Sequence, residues 1–239
     1  MSATAVRGRR HRSAVAHREL LLVALAVLSG LTDASGFLHL GGAFAGVMTG
    51  NIVIFGMSAA LGNVSQLVRA GAAICAFAIG CVAGGRIAGA PQADDPPWPR
   101  TVTVALGLEL SLYGAYAGGW VLAGRHPGQL VSTLLLCVSA LALGTQSAAV
   151  QRLALRGLST TYLTGTLTTM LLEFAYTGRI AGSVRNLRML LAVAGGASVG
   201  AFLVSHLTPA APVVAFAVVA TILLAARRGA VCAAGLVRG

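Results

Sequence analysis

The sequence predicts an all-α, polytopic membrane helix bundle of six to eight spans, with two internal repeats of four hydrophobic segments each. Three observations predict it. The 239 residues are 56% hydrophobic and 10% charged, with a mean hydropathy of +0.83; a soluble domain carries about 25% charged residues. Eight apolar runs lie at about 20–40, 43–62, 67–89, 101–123, 129–150, 158–176, 187–206 and 210–226, each near the ~20 residues that cross a bilayer. Finally, residue patterns of the first four runs recur in order in the second four.

The chain opens with a basic tail, 1–18, carrying Arg7, Arg9, Arg10, Arg12 and Arg18. Arginines before an apolar run resemble a signal peptide. The residues that follow recur later in the chain, so the run is expected to stay as an uncleaved first span. The tail then reads as a cytoplasmic, anionic-lipid-facing stop signal. Membrane repeat 1 is expected over 19–124. Its third and fourth segments are separated by a stiff connector at 90–100, where Pro91, Pro96, Pro97 and Pro99 cluster. Membrane repeat 2 is expected over 125–228, and a second cytoplasmic tail over 229–239.

The duplication is read from four ordered matches. Thr32-Asp33 resembles Thr145-Gln146 at an offset of 113, and Met48-Thr49-Gly50-Asn51 resembles Leu163-Thr164-Gly165-Thr166 at 115. Val68-Arg69 matches Val184-Arg185, and Gly80 and Gly84 match Gly196 and Gly200, at 116.

The net charge of +11 comes from 17 arginines without a lysine. They lie mainly between apolar runs, which suits the positive-inside rule and excludes nucleic acid as a partner. Both termini are expected in the cytoplasm. If all eight segments cross, the repeats are parallel, and every arginine except Arg86, Arg100, Arg152 and Arg156 is inside. If 43–62 and 158–176 dip in without crossing, the repeats are inverted, and only Arg69 and Arg125 fall outside. The rule mildly prefers the second arrangement, although 43–62 is uncharged and long enough to cross.

Taken together, Gly30-Leu31-Thr32-Asp33-Ala34-Ser35-Gly36-Phe37, Met48-Thr49-Gly50-Asn51 and Leu158-Ser159-Thr160-Thr161-Tyr162-Leu163-Thr164-Gly165-Thr166 resemble the YoaK-like family, over about residues 18–228. The resemblance implies a bacterial inner-membrane protein of about six spans and unknown function. It supplies neither a substrate nor a catalytic residue.

Chemistry therefore has to be sought in the residues. Asp33 is a carboxylate inside an apolar run, and such a group costs roughly 2.5–3.5 kcal/mol on insertion scales unless it faces a bundle interior. It reads either as a proton or cation site or as a hydrogen-bonded tie between helices. Its counterpart, Gln146, is neutral. Glu109 is a second intramembrane carboxylate, with Tyr113 and Tyr116 as partners or interfacial anchors. Gly50 and Gly165 fall mid-segment with Thr49, Asn51, Thr164 and Thr166 around them. They suggest broken helices of the kind that build transporter sites, or ordinary close packing. Gly80/Gly84 and Gly196/Gly200 are small-residue faces that bring backbones together, between the repeats or in a homodimer.

Cys75, Cys81, Cys137 and Cys232 show no CxxC pair or zinc spacing. No nucleophile, metal, cofactor or enzyme motif is expected. The expected function is a transporter or permease for a small solute or ion. Asp33 would take the proton or cation, and Thr49, Asn51, Gln146, Thr164 and Thr166 would line the site. The rivals are a non-transporting membrane scaffold and, further back, an intramembrane enzyme using Asp33 with Glu109.

Overall fold

The computed structural model describes residues 3–92, 95–96, 98–124, 127–153, 163–178 and 184–235, without the side chains of 3–14, 163–164, 166 and 228–235. Among the described residues there are eight α-helices and no strand. They are α1 (Ala3–His39), α2 (Met48–Ala60), α3 (Val64–Ala88), α4 (Arg100–Ala123), α5 (Gln129–Leu153), α6 (Leu163–Thr177), α7 (Val184–His206) and α8 (Ala210–Gly235).

The helix ends follow local chemistry. Asn63 caps α3 by accepting the Gln66 amide at 3.1 Å. Pro99 precedes α4 in an extended conformation. Among the described residues five helices are long and apolar enough to cross a membrane: α1 from Val15, α3, α5, α7, and α8 up to Arg227. α4 has comparable length but carries a polar interior stripe. Large apolar side chains such as Ile79, Leu122, Leu134 and Phe202 stand exposed around the outside, which suits hydrocarbon and not water.

Helix α1 packs along α7 and α8, α5 along α3 and α4, and α4 along α8. The inner ring is therefore α1, α5, α4 and α8. α3 and α7 buttress it from outside, and α2 and α6 lie against α3 and α7 respectively.

Contacts between the helices fix their directions. A Cβ on Gly196 or Gly200 of α7 would collide with the α1 backbone at Val27 or Leu31, so those two helices run parallel. Gly80 and Gly84 of α3 meet Leu141 and Thr145 of α5 in the same way, again parallel. Both zippers are reciprocal: Gly30 of α1 sits against Val193, and Gly144 of α5 against Phe77. Thr32 and His39 of α1 meet Tyr113 and Trp120 of α4, another parallel pair. By contrast, Gln146 of α5 reaches Leu25, while Leu136 lies beside Gly36, so α5 opposes α1.

These directions decide the path of the chain. α3 runs with α5 and therefore against α1, so α2 between them starts and finishes in the half of the bundle where α1 ends. α7 runs with α1 and against α5, so α6 returns likewise. Among the described residues six helices traverse the bundle. Eight crossings would have set α1 against α4. At about 1.5 Å per residue, the 13 residues of α2 span ~20 Å, short of a ~30 Å hydrocarbon core.

The expected mid-segment break at Gly50 is corrected by the structure. Residues 40–47 are non-helical, and Gly50 is the third residue of the continuous helix α2. Gly165 is likewise the third residue of α6. The reversal after His39 falls on Gly41 and Gly42, whose φ values of 104° and 76° are comfortable for glycine and strained for other residues.

Candidate intramembrane site

Two polar constructions occupy the interior. The first is the buried loop 40–47 with the start of α2. Leu40, Ala43 and Ala45 are fully buried, so their backbone polar groups need partners inside the protein. The Asp33 carboxylate accepts the Gly46 amide at 2.6 Å, with the Ala45 and Val47 amides close by. Asn51 grips Phe44 at both ends: its Oδ1 accepts the Phe44 amide at 2.8 Å and its Nδ2 donates to the Phe44 carbonyl at 2.7 Å. From α3, Gln66 donates to the Gly42 carbonyl at 2.7 Å and Arg69 to the Gly41 carbonyl at 3.0 Å. Asp33 thus supplies from a neighbouring helix the anionic cap that α2 lacks locally, where negative charge and free amides attract.

The second construction is a stripe on α4. Glu109, Tyr113, Tyr116 and Trp120 follow the helical spacing of one face, and all four are buried. Tyr113 Oη and Thr32 Oγ1 are 2.8 Å apart, across the ring. Tyr116 sets its edge against Trp120, with centroids 5.4 Å apart, and Trp120 stacks on His39 at 5.1 Å. Both Glu109 oxygens, Tyr116 Oη, Trp120 Nε1 and His39 Nε2 are buried atoms with no hydrogen-bond partner among the described residues.

The remaining expected site residues are scattered. Gln146 is buried and donates to the Leu25 carbonyl at 3.2 Å, its own oxygen unpartnered. Thr49 is exposed on α2, and Gly50 packs under the Phe44 ring. Gly165 is exposed with open space around it. The side chains of Thr164 and Thr166 lie outside the described residues, as do residues 158–162. Asp33 and Asn51 are therefore brought together around one loop, and Glu109 around another feature. The glycines Gly80, Gly84, Gly196 and Gly200 all pack within the chain, leaving none of these four faces for a second copy.

Sequence reasoning missed the amides of 45–47 and the α4 seam as a unit. The signal for the seam was present in the 109/113/116/120 spacing. Among the described residues no group of three His, Cys, Asp or Glu side chains could hold a metal.

Comparison with known proteins places the chain. Residues 21–226 match the family model described as a protein of unknown function (DUF1275). The chain belongs to this family. A relative, the UPF0700 transmembrane protein YoaK of Bacillus subtilis (strain 168), is 30% identical over 159 residues, which is 66% of this chain and 68% of that protein. No solved structure matches the chain. This DUF1275 protein is a multi-pass membrane protein, in keeping with its transmembrane relative and its long apolar helices.

Proposed function

We propose that this protein is a transporter or permease for a small solute or ion, with its site midway along the ring of α1, α5, α4 and α8. The observation that carries the reading is direction: α1 and α5 oppose one another, and each is zipped to a helix of the other half. We read 19–124 and 125–228 as inverted copies, an arrangement common in secondary transporters. In this reading both copies begin a short re-entrant helix at a shared Thr-Gly pair, Thr49-Gly50 and Thr164-Gly165. In the inner membrane with cytoplasmic termini, only Arg69 and Arg125 then lie outside, which satisfies the positive-inside rule.

Within this reading Asp33 serves as the anchor of the re-entrant loop, and Glu109 is the group left for an ion. An enzyme is not favoured, because Asp33 and Glu109 share no hydrogen bond among the described residues and no nucleophile–base pair stands beside either. A scaffold is the second reading, favoured by the Tyr113, Tyr116 and Trp120 side chains that fill the ring.

Flux through purified protein in liposomes separates the two. Concentration jumps of small ions, amino acids and sugars on a supported membrane should produce a current or uptake that Glu109→Gln loses. Silence across that panel from correctly folded protein would favour the scaffold.

A further inference from the structure

The two ends of the ring interior are chemically different. From Glu109 toward the N-terminal end of α1, the buried α4 face is Val102, Ala105 and Leu106, all fully buried. The parallel register of α1 brings Leu21 and Leu25 to that depth, and both are buried in the same apolar core. From Glu109 toward the other end, the same face carries Tyr113, Tyr116 and Trp120 and finishes on His39. Unpartnered polar atoms occur at Glu109, Tyr116, Trp120 and His39. The run covers 12 residues of α4, 11 steps or about 16 Å. His39, at its rim, is the member that is only half-buried.

Leaving each such atom without a partner is unfavourable, and an unpaired carboxylate at this depth is more so. Buried neutral groups left unpaired by protein are commonly satisfied by bound water where there is room for it. A proton removes the charge of the carboxylate.

We propose that Glu109 is a proton-binding site, loaded through a hydrated seam along α4 that opens only at the His39–Trp120 end of the bundle. Waters bridging Tyr116, Trp120 and His39 carry the proton in, and the Val102–Leu106 end blocks its passage onward. Release to the opposite side requires the ring to rearrange, which is the behaviour expected of a coupling ion. The inference rests on the transport reading for its purpose, though not for its detection.

The ionisable surroundings are sparse. Tyr113 and Tyr116 lie on α4 itself, and Tyr113 interacts electrostatically with both Glu109 and Asp33. α1 adds His39. α5 carries Cys137 and Arg152, and α3 carries Arg69, Cys75, Cys81 and Arg86, none bonded to Glu109. α8 has no ionisable side chain between Ala210 and Ala226.

Dicyclohexylcarbodiimide tests the proposal on the whole protein in liposomes. A protonated carboxyl adds across one C=N bond, nothing leaves, and the protein gains the mass of one reagent molecule. Intact-mass and peptide analysis should place that adduct on Glu109. It should be lost in Glu109→Gln, kept in Asp33→Asn, and restored in part by Glu109→Asp. Labelling should fall as the pH is raised, because the reagent needs the protonated carboxyl. It should follow the pH on the His39 side of oriented vesicles, and Tyr116→Phe should slow that response. If Glu109→Gln does not fold, the wild-type peptide map decides the site. An adduct elsewhere, labelling indifferent to pH, or control from the N-terminal side overturns the proposal. Labelling without flux of any tested solute would retire the transport reading alone; flux without Glu109 labelling would retire the proton site alone.

Discussion

Asp33 and Glu109 lie about one and a half helical turns apart in depth on the α1–α4 register, yet their surroundings are opposite. Asp33 meets backbone amides at a helix start; Glu109 meets no donor among the described residues. Substitutions should separate them. Asp33→Ala should cost about 2 kcal/mol, the scale of a hydrogen bond to a charged group, while Asp33→Asn keeps an acceptor and should cost less. Asn51→Leu should behave like Asp33→Ala, because it strands both polar groups of Phe44. Thermal unfolding in detergent checks all three. The sequence made the two carboxyls visible as residue types, since charge stands out in an apolar run. It did not show which one was already engaged. Backbone amides have no side-chain signature, and 40–47 (Leu-Gly-Gly-Ala-Phe-Ala-Gly-Val) is apolar enough to read as helix. Only the Gly41-Gly42 pair marked the reversal.

At the scale of elements, the glycine zippers and the connector carry the packing. Gly196→Leu drives a side chain into the Val27 backbone and should destabilise by about 3 kcal/mol, the upper end of ordinary overpacking. Gly118→Leu, with nothing within 4 Å of its Cβ position, should be close to neutral. The same unfolding measurement compares them. Arg152, at the end of α5, donates to the Ala88 and Ala90 carbonyls at 2.6 and 2.8 Å and to Asp95 at 2.8 Å. It thereby fastens the Pro-rich connector. The Gln92 amide, and then the Arg152 guanidinium, hold the Asp95 carboxyl below the usual carboxylate range. A carboxyl lowered on folding adds stability above its unfolded value, about pH 3.9, and that stability is lost as pH falls through the lower folded value. Asp95→Asn should therefore be less stable than wild type at neutral pH and converge with it in strong acid. The proline cluster showed in the sequence that a stiff connector existed. Its fastening point, 57 residues away, left no local trace.

For the whole molecule, hydropathy revealed the class and eight runs, but could not tell a crossing run from one that returns. Segment 43–62 was long and uncharged either way, and direction appears only when helices touch. Six traversing helices place the α2–α3 turn on the face opposite the N-terminal tail, whereas eight would place it on the same face. In a cysteine-free background, Gly62→Cys should react with an impermeant thiol reagent only from the side opposite the tail.

The parallel zippers also set a schedule for biogenesis. Helix α1 leaves the ribosome long before α7, and α3 before α5, so neither first-half helix finds its glycine-matched neighbour until the second half is made. During that interval the first half must be held by lipid or by the insertion machinery with its close-contact faces bare. A chain cut in the loop after Gly124 should therefore yield two fragments that are each degraded when made alone, yet protect one another when made together.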